Sequence, residues 1–397
     1  YGSGAAGGLV NVVDRRFVER PLETPFEGGL SVGSDSATGK RDGAFRTHFG
    51  TGNIAFSADF FTRTTDNIEI PGFAESAALR VLEEAEEGEG EHDAGHEEEE
   101  AFGTVENTDS ETSGGALGFS IVGDRGFFGI SFSGFESEYG IPGHHHHEEH
   151  EEGEEGEHEH GEEEEEFVRI DLEQERVDFK GEYDLDGDFL QGVRFVAAMN
   201  DYMHMELEGD EIGTLYDTQG RDARLELRHA QWGPLVGAIG LQYEVIEFDA
   251  IGDEAFVPAS DTRRKSLFLF EELSLSDNWV LQGSARYEDQ SISGSTLVEA
   301  YDDSAVGASI GTIWRATDAL RLSANLALTE RHPTSTELFA EGAHVAVQRY
   351  ERGSTSPLRD DPRILDKENS TNLDITLHGD TDRLEWSITG YINAVDD

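Results

Sequence analysis

Leu320-Arg-Leu-Ser-Ala-Asn-Leu-Ala-Leu-Thr329 decides the fold. Leu320, Leu322, Leu326 and Leu328 fall on one parity, and Arg321, Ser323, Asn325 and Thr329 on the other. A period of two is a β-strand with one apolar and one polar face. The same alternation returns at Ile54, Phe56, Ala58 and Phe60, at Phe128, Ile130 and Phe132, and at Leu384, Trp386, Ile388 and Ile392. These alternating segments run about 10 to 15 residues, longer than the strand of about 5 to 6 residues usual in soluble proteins. Working outward, short turn signals at Gly50–Asn53, Gly123–Gly126, Asp184–Asp188, Gln231–Pro234, Ser276–Asn278, Arg315–Ala319 and Gly379–Arg383 alternate with longer connections at 67–107, 140–166, 206–215, 250–262, 293–302 and 333–367. Long strands joined by alternately short and long connections predict an all-β transmembrane antiparallel barrel, of which about 15 strands lie in this chain. A soluble sandwich or solenoid also alternates, but without this regular exchange of long and short connections.

Composition narrows the function. The 397 residues contain no cysteine, so disulfides and thiolate metal sites are excluded and any metal site must use His and carboxylates. Three methionines argue against a soft Cu(I) site. A net charge of −56 repels nucleic acid phosphates and anionic lipid headgroups and draws cations. Much of that charge sits in 83–100 and 144–166. The sequence holds no continuous apolar run long enough for a transmembrane helix, and a barrel needs none. The chain begins and stops abruptly, with no signal peptide, and reads as a piece lacking both ends.

The candidate ligands are concentrated. His144, His145, His146, His147, His150, His158 and His160 are interleaved with glutamates in the second long connection, and His92 and His96 precede Glu97–Glu100 in the first. Imidazole suits Zn, Cu and Ni, and carboxylates add charge to a divalent site. A tract this dense offers several loose ligand sets rather than one geometry. The alternative is a solvated acidic loop. His48, His204, His229, His332 and His378 are expected to be ordinary lumen or interface residues. No nucleophile elbow, His-Glu-x-x-His helix or Walker loop is present, so no catalytic residue is assigned and an enzyme is not expected.

Three further stretches carry a resemblance. Tyr1-Gly-Ser-Gly-Ala-Ala-Gly-Gly-Leu-Val-Asn-Val-Val-Asp-Arg-Arg16 resembles the end of the plug domain of TonB-dependent receptors. Arg331-His-Pro-Thr-Ser-Thr-Glu-Leu-Phe-Ala-Glu-Gly-Ala-His344, followed by Tyr350-Glu-Arg-Gly353 and Leu365-Asp-Lys-Glu-Asn-Ser-Thr-Asn-Leu-Asp374, resembles their barrel signature, as does Gly252-Asp-Glu-Ala-Phe-Val-Pro258. Pro357-Leu-Arg-Asp-Asp-Pro362 departs from the pattern by inserting residues before the Glu-x-Ser-x-Asn strand.

The resemblance implies a barrel of about 22 strands with a plug in its lumen. The end of the plug would be 1–16 and the barrel 17–397, with extracellular loops 67–107, 140–166 and 333–367. It also implies the outer membrane of a Gram-negative bacterium and energy from the TonB complex of the inner membrane. The His/Glu loops are similar to those of the zinc-uptake branch, with zinc as cargo and no resident cofactor required. The same receptor class with copper, nickel, a metal chelate, a siderophore or haem is the second reading, and a surface metal-binding protein without transport the third. His344, near His332, Glu337 and Glu341 in the signature loop, is the candidate for an ordered metal site at the mouth.

Overall fold

The computed structural model describes residues 12, 14–78, 80, 101–145, 167–209, 211–252, 255–294, 300–344, 349–381 and 383–396, except for the side chains of 143–145, 343 and 344. The strands are β1 (Phe26–Ser34), β2 (Arg41–Thr51), β3 (Ile54–Thr65), β4 (Ile68–Phe73), β5 (Phe102–Val105), β6 (Ser110–Gly123), β7 (Gly126–His145), β8 (Phe167–Asp184), β9 (Leu190–Glu208) and β10 (Glu211–His229). They continue with β11 (Leu235–Gly252), β12 (Ser260–Ser276), β13 (Trp279–Gly294), β14 (Tyr301–Thr317), β15 (Leu320–Arg331), β16 (Glu341–His344), β17 (Arg349–Arg352), β18 (Glu368–Thr381) and β19 (Leu384–Asp396). A single turn of helix, α1 (Ser335–Phe339), precedes β16.

Fifteen of these strands form one antiparallel sheet in the order β1-β2-β3-β6-β7-β8-β9-β10-β11-β12-β13-β14-β15-β18-β19. Each strand pairs with its neighbour in sequence, apart from two small hairpins, β4-β5 and β16-β17, set into the long connections. The sheet is open, with β1 and β19 at its edges.

The two faces differ as the alternation predicts. Phe56 lies between Phe49 and Phe119, Leu241 between Leu225 and Leu267, and Leu326 between Ile310 and Leu373. Phe56, Leu241 and Leu326 are all exposed. The opposite face buries polar groups instead, among them Ser57, Ser120, Ser131, Ser266, Glu288 and Gln290. An apolar surface continuous over so many strands far exceeds what a soluble monomer shows to water and requires lipid. Among the described residues no helix is long and apolar enough to cross a membrane.

Residues 14–25 carry no strand and run along the polar face. Val18 is buried with Ala55, Val122 and Phe127, and its N–H donates to Ser120 Oγ at 3.1 Å. Ser57 Oγ donates to the Arg16 carbonyl and Arg16 Nη1 to Ser133 Oγ at 3.1 Å. Gly118 and Gly129 make this contact possible, since a Cβ at either would collide with Arg16 or Phe17.

One expectation changes. The stretch 206–215 is not a long connection: β9 and β10 continue to Glu208 and Glu211, which pair across a tight turn at Gly209, whose φ is +56°. Met203, Met205 and Leu207 keep the outward apolar parity, but the charged Glu206, Glu208 and Glu211 and the glycines Gly209 and Gly213 beside them read as a loop.

Candidate functional site

The antiparallel order puts the connections after β3, β7 and β15 at one end of the sheet, and the turns at Gly123–Gly126 and Asp184–Asp188 at the other. The two His/Glu tracts therefore leave the wall on the same side. Single cysteines introduced at Gly95 and Gly156, in a chain with none of its own, are expected to react with an impermeant maleimide on intact cells, while one at Asp124 stays silent. Labelling confined to Asp124 would reverse this orientation.

The stems of the two tracts share one base. Asn107, 6 % exposed with φ +55°, donates through Nδ2 to the carbonyls of Ile141 and Val168, both at 2.8 Å. It thereby ties the first connection to the stems of the second on β7 and β8. Asparagine tolerates this left-handed backbone better than most residues. Arg169 donates to both carboxylate oxygens of Asp109 at 3.0 Å and to Glu138 at 3.1 Å. The Arg169 fork holds the Asp109 carboxyl below its ordinary range. Asn67 Oδ1 accepts the N–H groups of Thr108 and Asp109. The fork thus bonds one carboxylate on β7 and another just before β6, joining the stem of the first connection to that of the second.

The described residues of the connection from 332 to 367 pack α1 over the polar face. Leu338 and Phe339 of α1 are buried against Ile292 and Tyr301, and Ala340 against Tyr216, Phe256 and Val257. Thr334 caps α1, with its Oγ accepting the Glu337 N–H and the Glu337 side chain accepting the Thr334 N–H. Arg331 then joins the connection to the sheet. Its guanidinium bonds both oxygens of Glu337 at 2.8 and 3.0 Å and both oxygens of Glu368 at 2.5 and 2.6 Å. Arg331 first, and the Thr334 cap after it, hold the Glu337 carboxyl below the usual carboxylate range.

The candidate ligands can now be placed. His144 and His145 end β7, with His145 opposite Phe167. His344 ends β16 opposite Arg349. The side chains of these three lie outside the described residues, as do His92, His96, His146, His147, His150, His158 and His160. Of the neighbours expected around His344, Glu337 bonds Arg331, and Glu341 Oε1 accepts from the Tyr350 hydroxyl at 2.9 Å while its Oε2 is buried with no hydrogen-bond partner among the described residues. His332 is 3 % exposed, with Nδ1 2.8 Å from the Tyr301 hydroxyl, and burial lowers its pKa. Among the described residues no three His, Asp or Glu converge on a metal position. The other histidines have structural partners: His48 the Arg15 carbonyl, His204 the ring of Tyr216, His229 Glu271 and the ring of Trp232, and His378 Glu385.

The sequence reading missed both arginine staples. Arg331 and Glu368 did stand in the quoted signature, so the pairing had a trace there. Asn107 and Arg169 left no comparable trace, because they meet only through the sheet.

A long antiparallel wall, apolar outside and polar inside, with its elaborate connections at one end, is that of an outer-membrane β-barrel. The family model "TonB dependent receptor-like, beta-barrel" matches residues 103–397, and the chain belongs to that family, whose members reside in the Gram-negative outer membrane. Similar solved structures include the copper transporter OprC, with a TM-score of 0.63 and 14 % identity over 93 % of this chain and 53 % of that one. The apoprotein form of the Neisseria meningitidis FrpB iron transporter (F5-1 variant) matches with a TM-score of 0.65 and 11 % identity, covering 95 % of this chain and 55 % of that one. A double mutant of the Serratia marcescens hemophore receptor HasR, in complex with its hemophore HasA and heme, matches with a TM-score of 0.66 and 12 % identity, covering 95 % and 56 %. The chain spans a little over half the length of each.

Proposed function

We propose that this chain is most of the barrel wall of a TonB-dependent transporter that imports a divalent metal, zinc, across the outer membrane. The His/Glu tracts capture the ion, and the TonB complex of the inner membrane supplies the energy. The observation that carries the reading is that the stems of two acidic, histidine-bearing tracts leave one end of the wall and are joined by Asn107 and Arg169. Neutral imidazole with carboxylate is a ligand set for zinc, and a tract that concentrates the ion above a lumen serves import. His144 to His147, His150, His158 and His160 are assigned the main capture role, His92 and His96 an auxiliary one, and His344 the step at the mouth. Copper is the second reading. It is favoured by the similarity in fold to a copper transporter and by the higher affinity of Cu(II) for such ligands.

Zinc accumulation in chelated medium, compared between cells with and without the gene, tests this. Cells carrying it are expected to accumulate zinc faster, and an excess of Cu(II) should compete. Accumulation of zinc that ignores the gene, beside gene-dependent accumulation of copper, would hand the assignment to the second reading.

A further inference from the structure

His332 begins the connection that carries α1, and it is buried where it does so. Its Nδ1 lies 2.8 Å from the Tyr301 hydroxyl. Its Nε2 is buried with no hydrogen-bond partner among the described residues. Tyr301 has two duties. Its ring packs in one cluster with Ile292 of β13 and with Leu338 and Phe339 of α1, while its hydroxyl meets His332. The next residue, Pro333, is tied to the wall through its carbonyl, which accepts Nε2 of the buried Gln290 at 3.1 Å. A displacement of His332 therefore disturbs the seat of α1.

Charged groups face the ring from every element packed around it. Glu288 of β13 and Asp303 of β14 favour an imidazolium, and Lys367 and Arg264 of β12 oppose it. These groups are largely matched among themselves. Arg286 bonds Glu288, Glu244 and Gln290 hold Arg264, and Lys367 lies 3.5 Å from Asp303 and 3.3 Å from Glu330. Beside the ring on the chain, Arg331 bonds Glu337 of α1 and Glu368 of β18. Loss of water outweighs the two carboxylates, so burial keeps the ring neutral and lowers its pKa. An imidazolium here would carry a donor on both nitrogens, and the one on Nε2 would have no acceptor. A buried cation with an unmet donor is driven towards water.

We propose that His332 is an acid-sensitive latch: neutral, it seats α1 against Tyr301, and protonated, it leaves the wall and lets α1 lift from the polar face. The seated form binds fewer protons than the lifted form, where the ring regains its ordinary pKa of about 6.5. Seating is complete above that value and weakens as pH falls from there through the lowered one. One proton is taken up on opening, so the opening constant can rise by at most about tenfold per pH unit. The Arg331 clamp weakens only at more acid pH, where Glu337 takes its proton, so the two devices act in separate windows.

Hydrogen exchange of the full receptor in nanodiscs, in metal-free buffer between about pH 7.5 and about pH 5, tests the latch. The amides to read are Leu338 and Ala340, bonded to the Thr334 and Thr336 carbonyls at 3.1 and 3.0 Å, with rates corrected for the intrinsic pH dependence of exchange. Their opening constant is expected to rise about threefold to tenfold per pH unit below about 6.5. His332→Asn keeps a polar group against Tyr301 but takes up no proton, and should hold the opening constant flat over this range. His332→Arg is charged at every pH used and should open α1 already at the neutral end. His378→Asn, at the other end of β18, should keep the parent's slope. A flat profile in the parent, or an undiminished slope in His332→Asn, would overturn the proposal. Should His332→Arg fail to fold, the profiles of the parent and of His332→Asn decide between the outcomes by themselves.

Discussion

Replacing His144 to His147, His150, His158 and His160 together by asparagine is expected to remove most zinc binding by the mouth of the receptor. The size of the effect follows from the ligands. Asparagine keeps the polarity and bulk of the tract but offers no imidazole nitrogen, and the glutamates left behind hold a divalent ion loosely. Apparent affinity should fall by about tenfold or more, equivalent to at least about 1.4 kcal/mol. The same logic fixes the pH dependence. A ligand imidazole must be neutral, its ordinary pKa is about 6.5, and surrounding carboxylates favour the protonated form. Zinc should therefore be bound above neutrality and released as pH drops below about 6. Calorimetric titration of the receptor with zinc, at several pH values and for both proteins, reads this directly. Growth should suffer only when zinc is scarce, because an antenna raises local concentration and does not itself move the ion. If the variant binds zinc as the parent does, the tract is a solvated acidic loop and the metal assignment loses its main support.

Arg331→Met is expected to free the 332–367 connection from the wall. The substitution leaves Glu337 and Glu368 facing each other with no cation between them. Hydrogen bonds to charged groups are worth about 1.5–3 kcal/mol each, and the partial exposure of this cluster favours the lower part of that range for the whole clamp. A local loss of about 2 kcal/mol corresponds to about 30-fold more frequent opening. Hydrogen exchange of the amides in α1 and β18 measures it, with protease cleavage of the connection as a second reading. Arg331→Lys should give an intermediate result, since an ammonium cannot fork to two carboxylates. The clamp also titrates. Arg331 depresses the folded-state pKa of Glu337, so its contribution is complete above the ordinary carboxylate range and is lost as pH falls through the depressed value. Exchange in α1 that ignores both Arg331→Met and acidification would show that Leu338 and Phe339 anchor the loop without the clamp.

The fold was legible because lipid imposes a strict rule on alternate residues. Wherever a strand lies in the belt, as at Leu320–Leu328 or Ile54–Phe60, the period of two stands out. It is broken by Gly209, Glu211 and Gly213, and there 206–215 reads as a loop although Glu206–Glu208 and Glu211–Leu215 belong to paired strands. The candidate ligands rest on composition alone, and the tracts that carry them lie outside the described residues. The staples at Arg169 and Arg331 bring together residues such as Asp109 and Arg169, or Arg331 and Glu368, that only strand register makes neighbours. His332, Glu337 and Glu341 were grouped with His344 by closeness in sequence. In the folded chain His332 meets Tyr301, Glu337 meets Arg331 and Glu341 meets Tyr350, while the His344 side chain lies outside the described residues.

The lengths of β7 to β11 set the height at which an ion is first met. Each runs 18 to 20 residues. At about 3.3 Å per residue and a tilt of about 45°, such a strand rises about 45 Å along the barrel axis, while the apolar band needs only about 25 Å. The wall thus stands about 20 Å above the apolar band on the side of the long connections, and about 13 Å above the headgroup layer. That is more than one screening length at physiological ionic strength, where the Debye length is about 8 Å. At that distance the headgroups have a reduced say in which ions gather. The acidic tracts sample the surrounding medium on their own terms, competing for divalent cations with solution rather than with the membrane beneath them.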